Sequence, residues 1–337
     1  MLSALLLIAS ATDARSPANV AYRLIEVHDT VTGERFPVAL WYPTDAAPAP
    51  LILNASLSEC RFPAMLCRWI AFEMRVAANA PPADGAFGLI VISHGAQGLA
   101  LNHRELAVAL AARGYVVAAP VHARGDGDDI SGDVVWIGRP KQVSRVIDAA
   151  LEDAALGPRI RRERIGMVGH SNGGYTALAV AGAPPTPRAL VDHCRTHTDD
   201  PRFCAAGGRA GREAAERSAA IPDLRDARVR ALVLLAPNAL PFTDEALGKV
   251  TVPIRLYAAE RDDLTLVRYH AARLARARPS IEYVVIPGAG HFSFLPRFPG
   301  LLRFLAGDAA RDPDGFDREA LQKRMNPEIA DFFDRKL

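Results

Sequence analysis

The chain has 337 residues, half of them hydrophobic and 23% charged, with a formal net charge of +2. That length suffices for one large α/β domain or two small ones, and the composition is that of an ordinary globular protein. The near-zero net charge argues against binding to nucleic acid or an anionic membrane driven by electrostatics.

The first residues, Met1-Leu2-Ser3-Ala4-Leu5-Leu6-Leu7-Ile8, are apolar and are followed by Ala9-Ser10-Ala11, a pattern found at signal-peptide cleavage sites. No Lys or Arg precedes the apolar run, and it is too short to span a bilayer. We read residues 1–11 as an export signal, with a buried N-terminal helix as the alternative. This implies a secreted or periplasmic protein, or a cytoplasmic one if the segment is not cleaved. No later stretch is long enough and apolar enough for a membrane helix. Residues 15–337 are expected to form one domain.

Tyr22 to His28 and Phe36 to Tyr42 read as an opening antiparallel strand pair, and Pro43 to Pro81 as an irregular stretch. The continuous apolar run Gly88 to Ser93 predicts a buried strand. His103 to Arg113 has helical periodicity and ends at Gly114. Tyr115 to Ala119 is the next strand, Val143 to Leu156 a long amphipathic helix, and Ile165 to Val168 a short buried strand. The run Tyr175 to Ala183 reads as helix. Pro184 to Asp226 breaks the alternation and reads as an insert with one or two short helices, either a lid or a decoration. Val229 to Leu235, Ile254 to Ala258 and Ile281 to Ile286 are three more buried strands, with a helix over Leu264 to Arg276. Phe316 to Phe333 ends the chain as an amphipathic helix. Strands alternating with helices imply a mostly parallel central sheet with helices on both faces.

Four cysteines form two local pairs, Cys60 with Cys67 and Cys194 with Cys204. Short disulfide loops fit an oxidising compartment, and neither pair has zinc-site spacing. Asp126-Gly127-Asp128-Asp129-Ile130 only faintly resembles a calcium loop. Its fifth position, Ile130, offers no oxygen, and Gly132 is one place late, so a solvated loop is the reading. There is no phosphate-binding loop, dinucleotide fingerprint or H-E-x-x-H pattern, and no cofactor or metal is called for.

Gly169-His170-Ser171-Asn172-Gly173 lies between the Ile165–Val168 strand and the Tyr175–Ala183 helix. G-x-S-x-G in that setting is a nucleophile elbow: a tight turn that pushes a serine hydroxyl above the sheet. A serine hydroxyl is a poor nucleophile at neutral pH. It needs a base to take its proton, and the base needs an anion to fix its tautomer. In such a chain the acid and the histidine each follow a late strand. Among nine histidines, only His291, in Pro287-Gly288-Ala289-Gly290-His291, follows the last strand. His193 and His197 fall in the insert, read as solvent-exposed, and His270 falls mid-helix. The acid lies in Ala259-Glu260-Arg261-Asp262-Asp263. Asp262 is placed to turn toward His291, and Asp263 and Glu260 are alternatives, Asp263 also suiting a helix N-cap.

Two N–H groups must face the oxyanion. One belongs to Asn172. The other belongs to Ala96, with Gly95 or Gln97 as alternatives, in the loop Ser93-His94-Gly95-Ala96-Gln97-Gly98. His94 and His170 are read as packing residues. Trp136, Tyr175, Phe292 and Phe294 are candidates for a substrate pocket, with core packing as the competing role.

On Ser93-His94-Gly95, Gly169 to Tyr175 and Gly290-His291, the chain resembles the α/β-hydrolase superfamily. Within it, the chain looks like the branch of dienelactone hydrolases and platelet-activating-factor acetylhydrolase-like lipases, over roughly Tyr22 to Pro299. The resemblance implies an α/β-hydrolase fold with a helical or irregular insert after the nucleophile helix. Two positions depart from the pattern. Dienelactone hydrolases use a cysteine nucleophile where this chain has Ser171. In the acetylhydrolases the acid follows an earlier strand, where this chain has Leu235-Ala236-Pro237-Asn238, which has no carboxylate. The expectation is a serine carboxylic-ester hydrolase acting on small to medium esters. The alternatives are a lipase or phospholipase A2-like acetylhydrolase, a peptidase or amidase, and a non-catalytic binding protein with the same fold.

Overall fold

A computed structural model describes residues 18–28, 33, 35–54, 71–96, 98–122, 134–205, 221–298, 303 and 306–337. The apolar N-terminus, Cys60 and Cys67, Gln97, the Asp126–Ile130 loop and residues 206–220 of the insert lie outside the described residues.

Ten strands among the described residues form one sheet: β1 Asn19–His28, β2 Arg35–Thr44, β3 Ala49–Asn54, β4 Ala71–Ala78, β5 Phe87–Ser93, β6 Tyr115–Pro120, β7 Ile160–His170, β8 Val229–Leu235, β9 Ile254–Ala259 and β10 Glu282–Ile286. Their spatial order is β10-β9-β8-β7-β5-β6-β2-β1-β4-β3. From β6 to β10 every neighbour pairs in parallel, and β1 and β2 pair antiparallel, as expected from the sequence. The crossing from β6 to β5 to β7 puts the ends of β5 and β7 side by side, with Ser93 opposite Gly169. At such a point loops diverge and a crevice opens above the strand ends.

Among the described residues seven α-helices carry the connections: α1 Arg104–Ala112, α2 Arg139–Glu152, α3 Asn172–Val180, α4 Pro187–Thr196, α5 Asp244–Gly248, α6 Ala271–Ala277 and α7 Arg318–Lys336. They cover both faces, because successive residues of a buried strand point to opposite sides. Leu89 and Val91 of β5 pack on one side with Val143 and Ile147 of α2 and Leu178 of α3. Ile90 and Ile92 pack on the other with Leu106 and Leu110 of α1 and Ile329 and Phe333 of α7. This is the α/β arrangement read from the sequence.

Two expectations about secondary structure need correction. Pro43 to Pro81 is not irregular throughout: β3 and β4 form an antiparallel pair there, and β4 adds to β1 in parallel. Along β4, Phe72, Met74 and Val76 are buried while Glu73 and Arg75 are exposed, a period of two masked in sequence by the surrounding Pro and Ala. The helix expected over Leu264 to Arg276 begins only at Ala271. The Asp262 carboxylate accepts hydrogen bonds from the backbone N–H groups of Leu264 (2.9 Å) and Thr265 (2.7 Å) and ties that stretch into a loop.

In the insert, Cys194 on α4 is bonded to Cys204, as expected from their spacing. His193 is buried rather than exposed, and its Nε2 lies 2.9 Å from Asp200 Oδ2. The described part of the insert is tied to the segment after β9. Asp199 accepts from Arg268 and Tyr269, and Arg202 bridges Asp263 and Asp308. No helix among the described residues is long and apolar enough to cross a membrane.

Candidate active site

The elbow has the geometry its glycines anticipate. Ser171 has φ 54° and ψ −117°, a conformation that side-chain-bearing residues seldom hold. Backbone hydrogen bonds fix it. Ser171 N–H donates to the Leu235 carbonyl (3.0 Å), and the Ser171 carbonyl accepts from Gly174 N–H (2.8 Å) and Asn238 N–H (2.9 Å). A Cβ on Gly169 would stand 2.2 Å from the Gly173 carbonyl oxygen, and one on Gly173 would stand 1.9 Å from that of Ser93. Both positions therefore exclude any side chain. Helix α3 starts immediately after Ser171, so its N-terminal dipole faces the serine.

His291 follows β10 and is buried. Its Nδ1 lies 2.9 Å from Asp262 Oδ2. Asp262 is 5% exposed, whereas Asp263 is exposed and engaged by Arg202, and Glu260 is exposed and accepts from Gly288 N–H (2.8 Å). Of the three carboxylates considered from sequence, Asp262 is the one in contact with the imidazole. Burial alone would raise its pKa. The His291 charge, the His291 hydrogen bond and the donors of Thr265 outweigh burial and hold the carboxyl below the usual aspartate value. It stays ionised at neutral pH.

Thr265, which the sequence reading missed, completes this pair. Its hydroxyl donates to Asp262 Oδ2 (2.8 Å) and lies 3.1 Å from His291 Nδ1. The only signal in the sequence is the Asp-x-x-Thr spacing, common at turns closed by an aspartate side chain. His291 Nε2 is buried and has no hydrogen-bond partner among the described residues. The Ser171 hydroxyl therefore makes no hydrogen bond to it in this state. Nucleophile–base contacts without substrate are often longer than in the reacting complex.

Imidazoles crowd around the elbow. His170 packs against His291 (ring centroids 5.2 Å apart) and His103 (5.3 Å), and its Nε2 lies 3.2 Å from the His291 carbonyl. His94 packs against His122 at 5.0 Å. His122 Nδ1 lies 2.9 Å from Gln142 Oε1, and its Nε2 2.8 Å from Ser93 Oγ. The amide oxygen can only accept, so Nδ1 carries the proton and Nε2 accepts from the serine. His270 stands just before α6 rather than mid-helix, and its Nδ1 accepts from Ala239 N–H (3.2 Å). No group of three or more His, Cys, Asp or Glu among the described residues is arranged to hold a metal ion.

Burial holds these rings neutral. It pushes His103 down to about 4 and His270 to about 3, and with neighbouring positive charge holds His94, His122 and His170 well below the usual imidazole value. Their folded pKa values lie below the unfolded value of about 6.5, so on acidification the unfolded chain binds protons that the fold refuses. Stability is thus full above about pH 6.5 and falls as pH drops toward about 4, by up to roughly 1.4 kcal/mol per pH unit for each such group. Urea titrations between about pH 7 and pH 4.5 should show this slope, and His103→Gln should flatten it. Equal stability at both ends of that range would contradict the burial argument.

Of the two candidate oxyanion donors, Asn172 is the first residue of α3, and Ala96 follows Gly95, which lies against the elbow. A Cβ on Gly95 would stand 3.2 Å from Ser171 Cβ. Neither Asn172 nor Ala96 N–H is engaged by an acceptor among the described residues. The aromatic candidates divide. Trp136 and Tyr175 pack edge to face in the core (4.6 Å), with the Tyr175 hydroxyl donating to the Trp136 carbonyl (2.9 Å). Phe294 is buried on the opposite face of the sheet, against His170. Phe292 is half-buried and meets His291 edge on (4.9 Å).

A ten-stranded sheet of this order, with a Gly-x-Ser-x-Gly elbow after β7 and a histidine loop after β10, is the arrangement of an α/β-hydrolase fold. Residues 75–197, which include the elbow, match the dienelactone hydrolase family. Among solved structures the chain is similar to a ferulic acid esterase from Streptomyces cinnamoneus, with a TM-score of 0.61 and 20% identity over 97% of this chain and 92% of that one. None of the curated proteins matches the sequence.

Proposed function

We propose that the chain is a serine carboxylic-ester hydrolase that acts on small to medium esters through an acyl-enzyme. Ser171 Oγ attacks the ester carbonyl while His291 Nε2 takes its proton. Asp262 holds the imidazole with Nδ1 protonated and stabilises the imidazolium as it forms. The N–H groups of Asn172 and Ala96 receive the oxyanion. His291 returns the proton to the leaving alcohol, then activates the water that releases the acid. The observation that supports this reading most is the buried Asp262–His291 pair: its Nε2 is left without a partner, and its ring packs on the residue before Ser171.

The family match and the esterase neighbour favour an ester over an amide or a peptide. We read the protein as residing in an oxidising, extracytoplasmic compartment, which the Cys194–Cys204 bond supports. A fluorophosphonate probe tests the assignment, because it reacts only with an activated serine. Label should map to Ser171 and vanish in His291→Ala. Folded protein that takes no label, or takes it elsewhere, would refute the reading. A panel of p-nitrophenyl and hydroxycinnamoyl esters then ranks the acyl groups.

A further inference from the structure

Arg139, the first residue of α2, is 7% exposed and lies behind the loop that faces Ser171. Its Nη1 donates to the His94 carbonyl (2.9 Å), and Nη1 and Nη2 reach the Gly95 carbonyl at 3.5 and 3.4 Å. The same Gly95 oxygen lies 2.8 Å from His94 Nδ1 and accepts from Gly98 N–H at 3.2 Å. A carbonyl has no proton to give, so Nδ1 of the neutral His94 donates. One buried carbonyl thus gathers a backbone amide, an imidazole and a guanidinium.

The Gly95 carbonyl and the Ala96 N–H are the two ends of a single peptide unit. Donors that draw electron density toward the oxygen make the N–H at the other end a stronger donor, most of all when the donor is ionised. The guanidinium fork also spans two successive carbonyls, which fixes the plane of that peptide in a way a point-charge ammonium cannot. We propose that Arg139 is a positioning residue for ester hydrolysis: it orients and polarises the Gly95–Ala96 peptide so that Ala96 N–H is preorganised for the oxyanion. Preorganised donors of this kind act on the transition state far more than on bound substrate. The inference rests on the reading of Ser171 as the nucleophile.

The test compares wild type, Arg139→Gln, Arg139→Lys and Ser171→Ala. It measures kcat and KM for p-nitrophenyl acetate, inhibition by a trifluoromethyl ketone, and folding by circular dichroism. The ketone adds to an active serine and forms an oxyanion in place. Arg139→Gln should lower kcat by about 10- to 100-fold with KM within about threefold, and ketone affinity should fall in step with kcat/KM. Arg139→Lys, which keeps the charge and loses the fork, should fall between the two. A merely structural role would not make ketone affinity track kcat/KM. Folded Arg139→Gln with kcat and ketone affinity within about twofold of wild type overturns the proposal. If that variant does not fold, the same outcome in Arg139→Lys overturns it. Full activity in Ser171→Ala would instead remove the underlying reading, which keeps the two failures apart.

Discussion

Replacing Ser171 by alanine should lower turnover of p-nitrophenyl acetate by about 10⁴-fold or more while leaving the fold intact. The two halves of that expectation have separate causes. The backbone at this position is held by Leu235, Gly174 and Asn238, none of which touches the hydroxyl, so the strained turn persists without it. The covalent step, by contrast, needs the hydroxyl itself, and among the described residues no other group is hydrogen-bonded to His291 Nε2. Residual activity would come only from the oxyanion donors and from binding. Circular dichroism and the thermal midpoint should match wild type. Near-normal turnover in Ser171→Ala would show that another group reacts.

Asp262→Asn should cost about 10³- to 10⁴-fold in kcat, and Asp263→Asn less than about twofold. The reason lies in which oxygen is occupied. Oδ1 of Asp262 accepts two backbone N–H groups, from Leu264 and Thr265. An asparagine placed there must keep its carbonyl oxygen on those donors, because its amino group would meet them N–H to N–H. The amino group then faces His291 Nδ1 and donates to it, forcing the ring proton onto Nε2. A ring protonated at Nε2 cannot take the proton of Ser171. Asp263 is exposed and bound to Arg202, away from the imidazole. Comparable losses in both variants would mean that the acid has been misassigned. An unchanged kcat in Asp262→Asn would mean that the tautomer is fixed by something else, with Thr265 the first residue to examine.

Residues whose placement follows from local chain order are readable in the sequence. The Gly169–Gly173 elbow announces itself because close approach on both sides of a strained serine admits glycine alone. His291 stands out because a histidine directly after the last buried strand has one place to go. The parallel strands were legible as apolar runs, since a strand covered on both faces needs no polar alternation.

What stayed hidden depends on partners far away along the chain. His122 and Arg139 look like an ordinary loop histidine and an ordinary helix arginine until β6 and α2 bring them under the Ser93–Gly98 loop. The β3–β4 pair was obscured because its alternation is short and flanked by Pro and Ala. The start of α6 was misread because helical periodicity continues through Leu264 to His270, and it is Asp262, turned inward to meet His291, that captures the amides of Leu264 and Thr265. His193 was read as exposed because its buried partner, Asp200, lies on the far side of a loop closed by the disulfide.

In the proposed reaction an acyl group passes through Ser171. Wild-type protein mixed with p-nitrophenyl acetate and quenched in acid within the first turnovers should carry one added acetyl group, mapped by peptide mass spectrometry to Ser171 and absent from Ser171→Ala. Steady hydrolysis with no acetyl on Ser171 at any quench time, and no initial burst of p-nitrophenol, would contradict it.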